Sequence, residues 1–368
     1  MGKQGVLSAA IWCALVTGVG AEERQRLLVT HEEEGVVTFL DPTSGEALGK
    51  VRVGFGPHEI VVSPDGRRAV TTNYGLAQGG SSLSLVDVEG QRLLRTIPLT
   101  LEVHQPDLGR VTHTFHRPHG ICFTRNPTRV LVTCESEQAL LLVDVEEGRV
   151  LAAIDTDQEL SRQVLLDHGG RRAFVSNQAS GSISVIDLRR RRLVEVLATG
   201  GGAQGMALHP VKDELWVANF ETNSISVIDT KTLEETWEFP CGTCPVRLAF
   251  TADGARILCV NHGGGSISVF DTESRHLVRE IGLAKLDDEQ AAARPLEPEQ
   301  QGFGRSALPV SLCLSPDGGT AWVTCGRSDR VAELDVAALE VRRYLETRAR
   351  EPLGLAWASF EDDVARAK

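Results

Sequence analysis

An aspartate closing a short apolar, β-branched run returns seven times along this chain, at Asp41, Asp87, Asp144, Asp187, Asp229, Asp271 and Asp335. The gaps are 46, 57, 43, 42, 42 and 64 residues, so the base unit is near 42 residues and two units are expanded. The unit is clearest at Arg172-Ala-Phe-Val-Ser-Asn177 followed by Ser182-Ile-Ser-Val-Ile-Asp187. It recurs at Glu214–Asn219 with Ser224–Asp229, and at Arg256–Asn261 with Ser266–Asp271. Runs of four to six apolar or alternating residues separated by turn residues are short antiparallel strands. Four strands per unit at this period make a propeller blade, whereas solenoids of similar period are helical. The fold class predicted is all-β: a seven-bladed β-propeller with four antiparallel strands per blade, occupying residues 22–368 as one domain.

The innermost strands are expected at His58–Ser63, His119–Thr124, Arg162–Asp167, Gln204–Leu208, Val246–Thr251, Val310–Ser315 and Leu353–Ser359. Asp65-Gly66, Asp253-Gly254 and Asp317-Gly318 supply the positive φ angles of the tight turns that follow three of them. The chain begins with the second to fourth strands of a blade (Arg26–His31, Val36–Leu40, Ala47–Val53) and ends on an inner strand. Both termini are therefore expected to build the seventh blade and close the ring, which leaves no free sheet edge between blades.

Val175-Ser-Asn177, Val217-Ala-Asn219 and Val260-Asn261, each followed by a Ser-Ile-Ser-Val strand, resemble the repeats of YVTN-type β-propellers, a family of exported bacterial proteins. The resemblance covers nearly all of the chain after its first residues. It implies the fold, but not a reaction, because similar rings serve as surface-layer proteins, lactonases, streptogramin lyases and haem d1 domains.

A net charge of −12 sets the surface against nucleic acid and anionic lipid. The Arg189–Arg192 run falls at a tight turn and reads as solvated. Lys3, the apolar stretch Val6–Val19 and Val19-Gly20-Ala21 have the form of a signal peptide cleaved after Ala21, so a periplasmic or secreted protein is expected, with no later segment apolar enough to span a bilayer. Eight cysteines include Cys13 of that leader. Cys122, Cys259 and Cys313 lie in strand patterns, as buried residues do. Cys241-Gly-Thr-Cys244 lies in a loop, where an oxidising compartment favours a local disulfide over catalysis or metal binding.

No Gly-x-Ser-x-Gly elbow, Walker loop or CxxCH motif is present, and no catalytic residue can be named. Chemistry is instead sought where the inner strands begin, since ring symmetry brings those positions to one rim. They read His58-Glu59, His119-Gly120, Arg162-Gln163, Gln204-Gly205, Val246-Arg247, Val310-Ser311 and Leu353-Gly354. The ligand-binding candidates are His58, Glu59, His119, Arg162, Gln163, Gln204 and Arg247, with the two arginines as anchors for a carboxylate or phosphate. His58, Glu59 and His119 have the composition of a divalent-metal site, and equally of a hydrogen-bonded polar cluster. The two expanded loops, Pro98–Pro118 and Gly282–Ala307, are expected to cover this mouth, the first bringing His104, His113 and His116. The reading is a binding propeller for a small molecule, peptide or protein partner. The alternative is a metal-assisted lyase or lactone hydrolase using the same channel. The Asn-type position ending each second strand (Asn73, Asn177, Asn219, Asn261) is expected to cap neighbouring backbone.

Overall fold

The computed structural model describes residues 23–105, 107 and 109–361; the expected leader lies outside them. Seven four-stranded antiparallel sheets form the ring. The first blade runs from Pro57 to Pro98 and the second from Pro118 to Asp155. The third runs from Ser161 to Ala198, the fourth from Ala203 to Pro240, the fifth from Pro245 to Gly282 and the sixth from Pro309 to Glu346. In the seventh, the C-terminal inner strand Pro352–Glu361 pairs with the N-terminal strand Glu23–His31, which continues into Val36–Leu40 and Ala47–Arg52. Closure by both termini is thus as the repeat count requires. Among the described residues no helix is long and apolar enough to cross a membrane.

The repeated side chains have distinct tasks. Each periodic aspartate accepts backbone N–H groups of the turn that follows it, as Asp229 does from Lys231 and Thr232 at 2.7 and 2.9 Å. This fixes the hairpin into the outermost strand. The buried asparagines do something other than the expected backbone cap. Asn219 Nδ2 donates to Ser224 and Ser226 of the third strand at 3.0 and 2.8 Å, and Asn73, Asn177 and Asn261 repeat the pattern. Where cysteine replaces asparagine, at Cys134 and Cys325, the facing positions carry no serine: Ala139 and Leu141, Arg330 and Ala332. In these two blades the amide and the hydroxyls are absent together, whereas in the seventh, with His31 at the Asn position, the facing Thr38 hydroxyl is buried without a hydrogen-bond partner.

One residue earlier lies a hydroxyl that joins neighbouring blades. Thr133 Oγ1 accepts the N–H of Gly120 in its own inner strand at 2.8 Å and donates to the carbonyl of Arg162 in the next blade at 2.7 Å. Thr30, Thr72, Ser176 and Thr324 do the same towards the carbonyls of His58, His119, Gln204 and Leu353. Their N–H partners are Gly354, Glu59, Gln163 and Ser311. The inner strands are irregular in register at these same residues, and a local bulge leaves an N–H unpaired by the ladder. The hydroxyl satisfies it.

Two expectations follow. Deleting Leu353–Lys368 exposes the edge of Glu23–His31 and opens the ring, so the truncated chain should lose soluble, cooperatively unfolding protein; an unchanged thermal transition would refute closure as the source of stability. Thr133→Val keeps shape but strands the Gly120 N–H, and should lower stability by about 1–3 kcal/mol in urea unfolding.

Candidate functional site

The inner-strand bulges place two successive residues of each blade on opposite sides of a narrow waist. The first of each pair, His58, His119, Arg162, Gln204, Val246, Val310 and Leu353, floors a funnel of about 640 Å³ on one face. From the second set, Glu59, Gln163, Arg247 and Ser311 contribute to a chamber of about 450 Å³ on the far side, whose walls include Ile60, Ile121, Val164, Leu248 and Leu355. Between them the free space shrinks to about 20 Å³, bounded by all seven sequence candidates together with Val246 and Val310. The geometry therefore brings His58, Glu59, His119, Arg162, Gln163, Gln204 and Arg247 to one place.

Charge and hydrogen bonding divide this waist. Glu59 and Arg247, from the first and fifth blades, meet across the channel as an ion pair. Gln163 Oε1 accepts the Met206 N–H at 2.5 Å. The imidazoles of His58 and His119 lie with centroids 4.2 Å apart and planes at 44°, and the Nδ1 atom of each is buried without a hydrogen-bond partner. Burial pushes His58 down to about 4, opposed by Glu59 and reinforced by Arg162 and Arg247. Burial, then His58 and the same two arginines, hold His119 well below the usual histidine range. Both rings are neutral at pH 7, so each keeps a nitrogen lone pair.

Sequence reasoning missed a second ring. The residue directly after each Asn-type position, at Glu32, Gln178, Phe220, His262 and Gly326, lines the funnel wall, while the equivalent Tyr74 and Glu135 buttress its floor. Tyr74 packs edge-on to His119 at 5.8 Å. Its hydroxyl donates to Glu135 Oε2 at 2.8 Å and accepts from Arg117 at 3.0 Å. Glu135 Oε1 takes Arg162 Nη1 at 2.6 Å, and Arg162 Nε donates to Gln178 at 2.7 Å. Burial raises the Glu135 carboxyl against the pull of Arg162 and Tyr74. His262 Nδ1 donates to the Pro309 carbonyl at 3.0 Å, which leaves Nε2 as its lone-pair nitrogen. The alternation that aims each Asn between blades aims its neighbour onto the face, so this ring could have been aligned as the mouth positions were.

The two insertions differ. Residues 284–307 carry the helix Asp288–Ala293 and a 3₁₀ turn Pro298–Phe303, and Ala293, Arg294, Pro295, Glu297 and Gln300 form one wall of the funnel. Arg327, 8% exposed, holds this insertion through carbonyls of Ala291, Arg294, Gly304 and Ser306; among the described residues no carboxylate pairs with it. The Pro98–Pro118 insertion does not cover the mouth as expected. It folds into a hairpin, Thr100–Gln105 with Gly109–Thr114, beside the outermost strand Arg149–Asp155. Leu99, Leu101 and Phe115 are drawn into the core shared by the first two blades. His104 and His113 are on this peripheral hairpin, and His116 bonds Glu137 at 2.8 Å. Cys241 and Cys244 are both free thiols.

On the rim, burial raises Glu32 to about 7, reinforced by Glu351 and Glu33; Asp329 and Glu351 are raised too. The funnel thus carries carboxylates on the seventh-blade side, where Arg294 pairs with Asp329 at 3.0 Å, and Arg162 and Arg327 are its other guanidiniums. The three residues His58, Glu59 and His119 offer ligand atoms within 4.8 Å of one another.

The repeats have known counterparts. Residues 172–292 match the YNCE-like beta-propeller family. The chain is 25% identical to YncE of Salmonella typhimurium over 245 residues, 62% of this chain and 64% of that protein. It is 23% identical to dihydro-heme d1 dehydrogenase of Pseudomonas aeruginosa over 304 residues, 71% of this chain and 61% of that one. NirF of Stutzerimonas stutzeri is 25% identical over 202 residues, 54% and 48% of the two chains. The matches thus span less than two thirds of each relative's length. Among solved structures, a functionally unknown protein from Desulfotomaculum acetoxidans superposes with a TM-score of 0.69 at 12% identity, covering 92% of this chain and 99% of that one. Kuenenia stuttgartiensis hydrazine synthase gives 0.64 at 19%, covering 85% and 92%. These two likenesses are of fold.

The depressed histidines have a measurable consequence. A histidine whose folded pKa lies below its unfolded value contributes stability above about pH 6.5 that is lost as pH falls towards 4. Replacing His58 removes its share, so His58→Asn should lose about 2 kcal/mol less than wild type between pH 7.5 and pH 5 in urea unfolding. Glu32 acts with the opposite sign, its raised pKa costing stability as pH rises from 4.5 through 7, but it is common to both proteins and cancels. Parallel pH profiles would show that His58 is not held neutral.

Proposed function

We propose that this chain is an exported binding propeller whose funnel seats a small, planar, metal-bearing organic ligand of haem type. The observation that carries the reading is the pair of neutral imidazoles at the floor, each with a buried Nδ1 lacking a hydrogen-bond partner. Imidazole lone pairs are donors to a metal centre. The funnel volume lies within the range of organic-ligand sites. One side of the lining is apolar (Phe220, Val246, Leu308, Val310, Leu353) and the other polar (His58, His119, Arg162, Gln204), which suits a ring with an apolar face and anionic substituents. Arg327, with no carboxylate partner among the described residues, is the cation open to those substituents, while Arg162 and Arg294 are paired with Glu135 and Asp329. The similarity to a protein named for dihydro-heme d1 supports the same class of ligand. Bound there, a haem would supply a redox-active, Lewis-acidic iron. One of His58 and His119 would hold it, and Tyr74 and the Glu135–Arg162 pair would keep the imidazoles and the guanidinium in place.

A bare divalent ion, with lyase or hydrolase chemistry, is the second reading, favoured by the His58, Glu59 and His119 cluster. Its third ligand is already held by Arg247, and a cation there would also face that guanidinium. A metal that arrives inside its own ring of nitrogens needs one imidazole and leaves the ion pair intact.

Titration of purified protein with ferric haem, followed by its Soret band, tests the choice. The expected result is saturation at one haem per chain, with affinity reduced at least about tenfold in His58→Ala or His119→Ala. An unshifted Soret band at micromolar haem overturns the haem reading. Stoichiometric zinc, copper or manganese by elemental analysis, lost in Glu59→Gln, would establish the bare-ion reading instead.

A further inference from the structure

The Cys241-Gly-Thr-Cys244 segment is the crossover from the outer strand of the fourth blade to the inner strand of the fifth. Its two thiols go different ways. The Gly242 Cα lies so close to the Asn261 side chain that a β-carbon there would collide with it. The Cys241 side chain lies at the boundary between the two blades. There its Sγ lies 3.5 Å from Asn261 Oδ1 and packs on the core that contains Cys259. Cys259 and Asn261 are two apart in one strand and share a face. Cys259 stands opposite Ser268 in register, and Ser268 also accepts from Asn261 Nδ2 at 2.9 Å. Cys241, Cys259, Asn261 and Ser268 thus form one cluster.

We propose that Cys241 and Cys259 are a redox-active thiol pair that closes to a disulfide stapling the fourth-to-fifth crossover. Cys259 is fully buried and Cys241 is half-buried at the face, so the two have separate roles in thiol exchange. A hydrogen bond from the Cys259 thiol lowers the Cys241 pKa, while burial holds that of Cys259 well above the usual thiol range. Cys241 is therefore the thiol that attacks. Its thiolate displaces one thiol from a low-molecular-weight disulfide, forming a mixed disulfide. Cys259, on losing its proton, then displaces the second thiol and forms the protein S–S bond. Two protein thiols and one small disulfide become one protein disulfide and two small thiols. Cys244 takes no part: its N–H and carbonyl are held by Asn223 and His262, and burial raises its thiol. The staple would fix the segment leading into Val246 and Arg247 at the waist.

Trypsin separates the alternatives. Cys241 and Cys244 fall in one peptide, Thr232–Arg247, and Cys259 in another, Ile257–Arg275. The full chain, equilibrated with oxidised glutathione and then alkylated, should give these two peptides joined. The link should persist in Cys244→Ser and vanish in Cys241→Ser and in Cys259→Ala, the latter chosen to keep the buried site apolar and checked for an intact melting transition. A link within Thr232–Arg247, a cross-link that survives Cys241→Ser, a glutathione adduct that stops at Cys241, or full alkylation of both peptides in folded wild type would overturn the proposal.

Discussion

The candidate site depends on a buried hydroxyl. An antiparallel ladder alone would present one face of each inner strand to the channel, every second residue, and the two members of a pair such as His58-Glu59 could not both reach it. The bulge at each inner strand brings successive residues to the waist, but frees a backbone N–H in a dry interior, where an unmet donor costs about 1–3 kcal/mol. Thr30, Thr72, Thr133, Ser176 and Thr324 meet that donor and pass the hydrogen bond to the neighbouring blade's carbonyl. One group therefore stabilises the bulge, sets the spacing of adjacent blades and aims the mouth residues. In the fourth and fifth blades the position is Ala218 and Val260, without a hydroxyl; in the fourth the Gln163 side chain accepts the N–H one residue further along, that of Met206.

Glycine completes the arrangement in the second, fourth and seventh blades. At Gly120, Gly205 and Gly354 a β-carbon would lie 2.1 to 2.3 Å from the carbonyl of the next blade's mouth residue, so the backbone there can carry no side chain. The positions between them hold Glu59, Gln163 and Arg247, long enough to cross the space the glycines leave open. The Glu59–Arg247 pair is the outcome, and it determines the electrostatics of the floor above it. Because carboxylate and guanidinium largely neutralise each other, little negative potential is left to hold a proton on His58 or His119, and desolvation decides their state.

Much of this was legible in sequence because a repeat lets each position be read seven times. The periodic Asp, the Asp-Gly turns and the closure by both termini survive any local ambiguity, and alignment of the inner strands gathered the mouth residues across 188 positions of chain, from Glu59 to Arg247. The remainder failed where the repeat is broken or where the direction of a side chain matters. Nothing in Pro98–Pro118 says that Leu99, Leu101 and Phe115 will be drawn into the core at the ring's flank and carry His104 and His113 with them. Tyr74, Glu135 and His262 differ in kind, so no motif marks them; only their shared offset from the Asn position does.

The waist also determines which face can bind. With the free space reduced to about 20 Å³ between funnel and chamber, a ligand entering from one side cannot contact both. The far chamber presents mainly Val, Ile and Leu side chains; of its polar groups, Glu59 and Arg247 pair with each other and Gln163 accepts a backbone N–H, while Ser311 adds a hydroxyl. The funnel alone combines unpartnered nitrogen donors, a guanidinium without a carboxylate partner among the described residues, and an apolar wall. Its second insertion is anchored by that guanidinium, since Arg327 binds carbonyls at the end of the helix Asp288–Ala293. Any anionic group that reached Arg327 would compete with those carbonyls for its guanidinium.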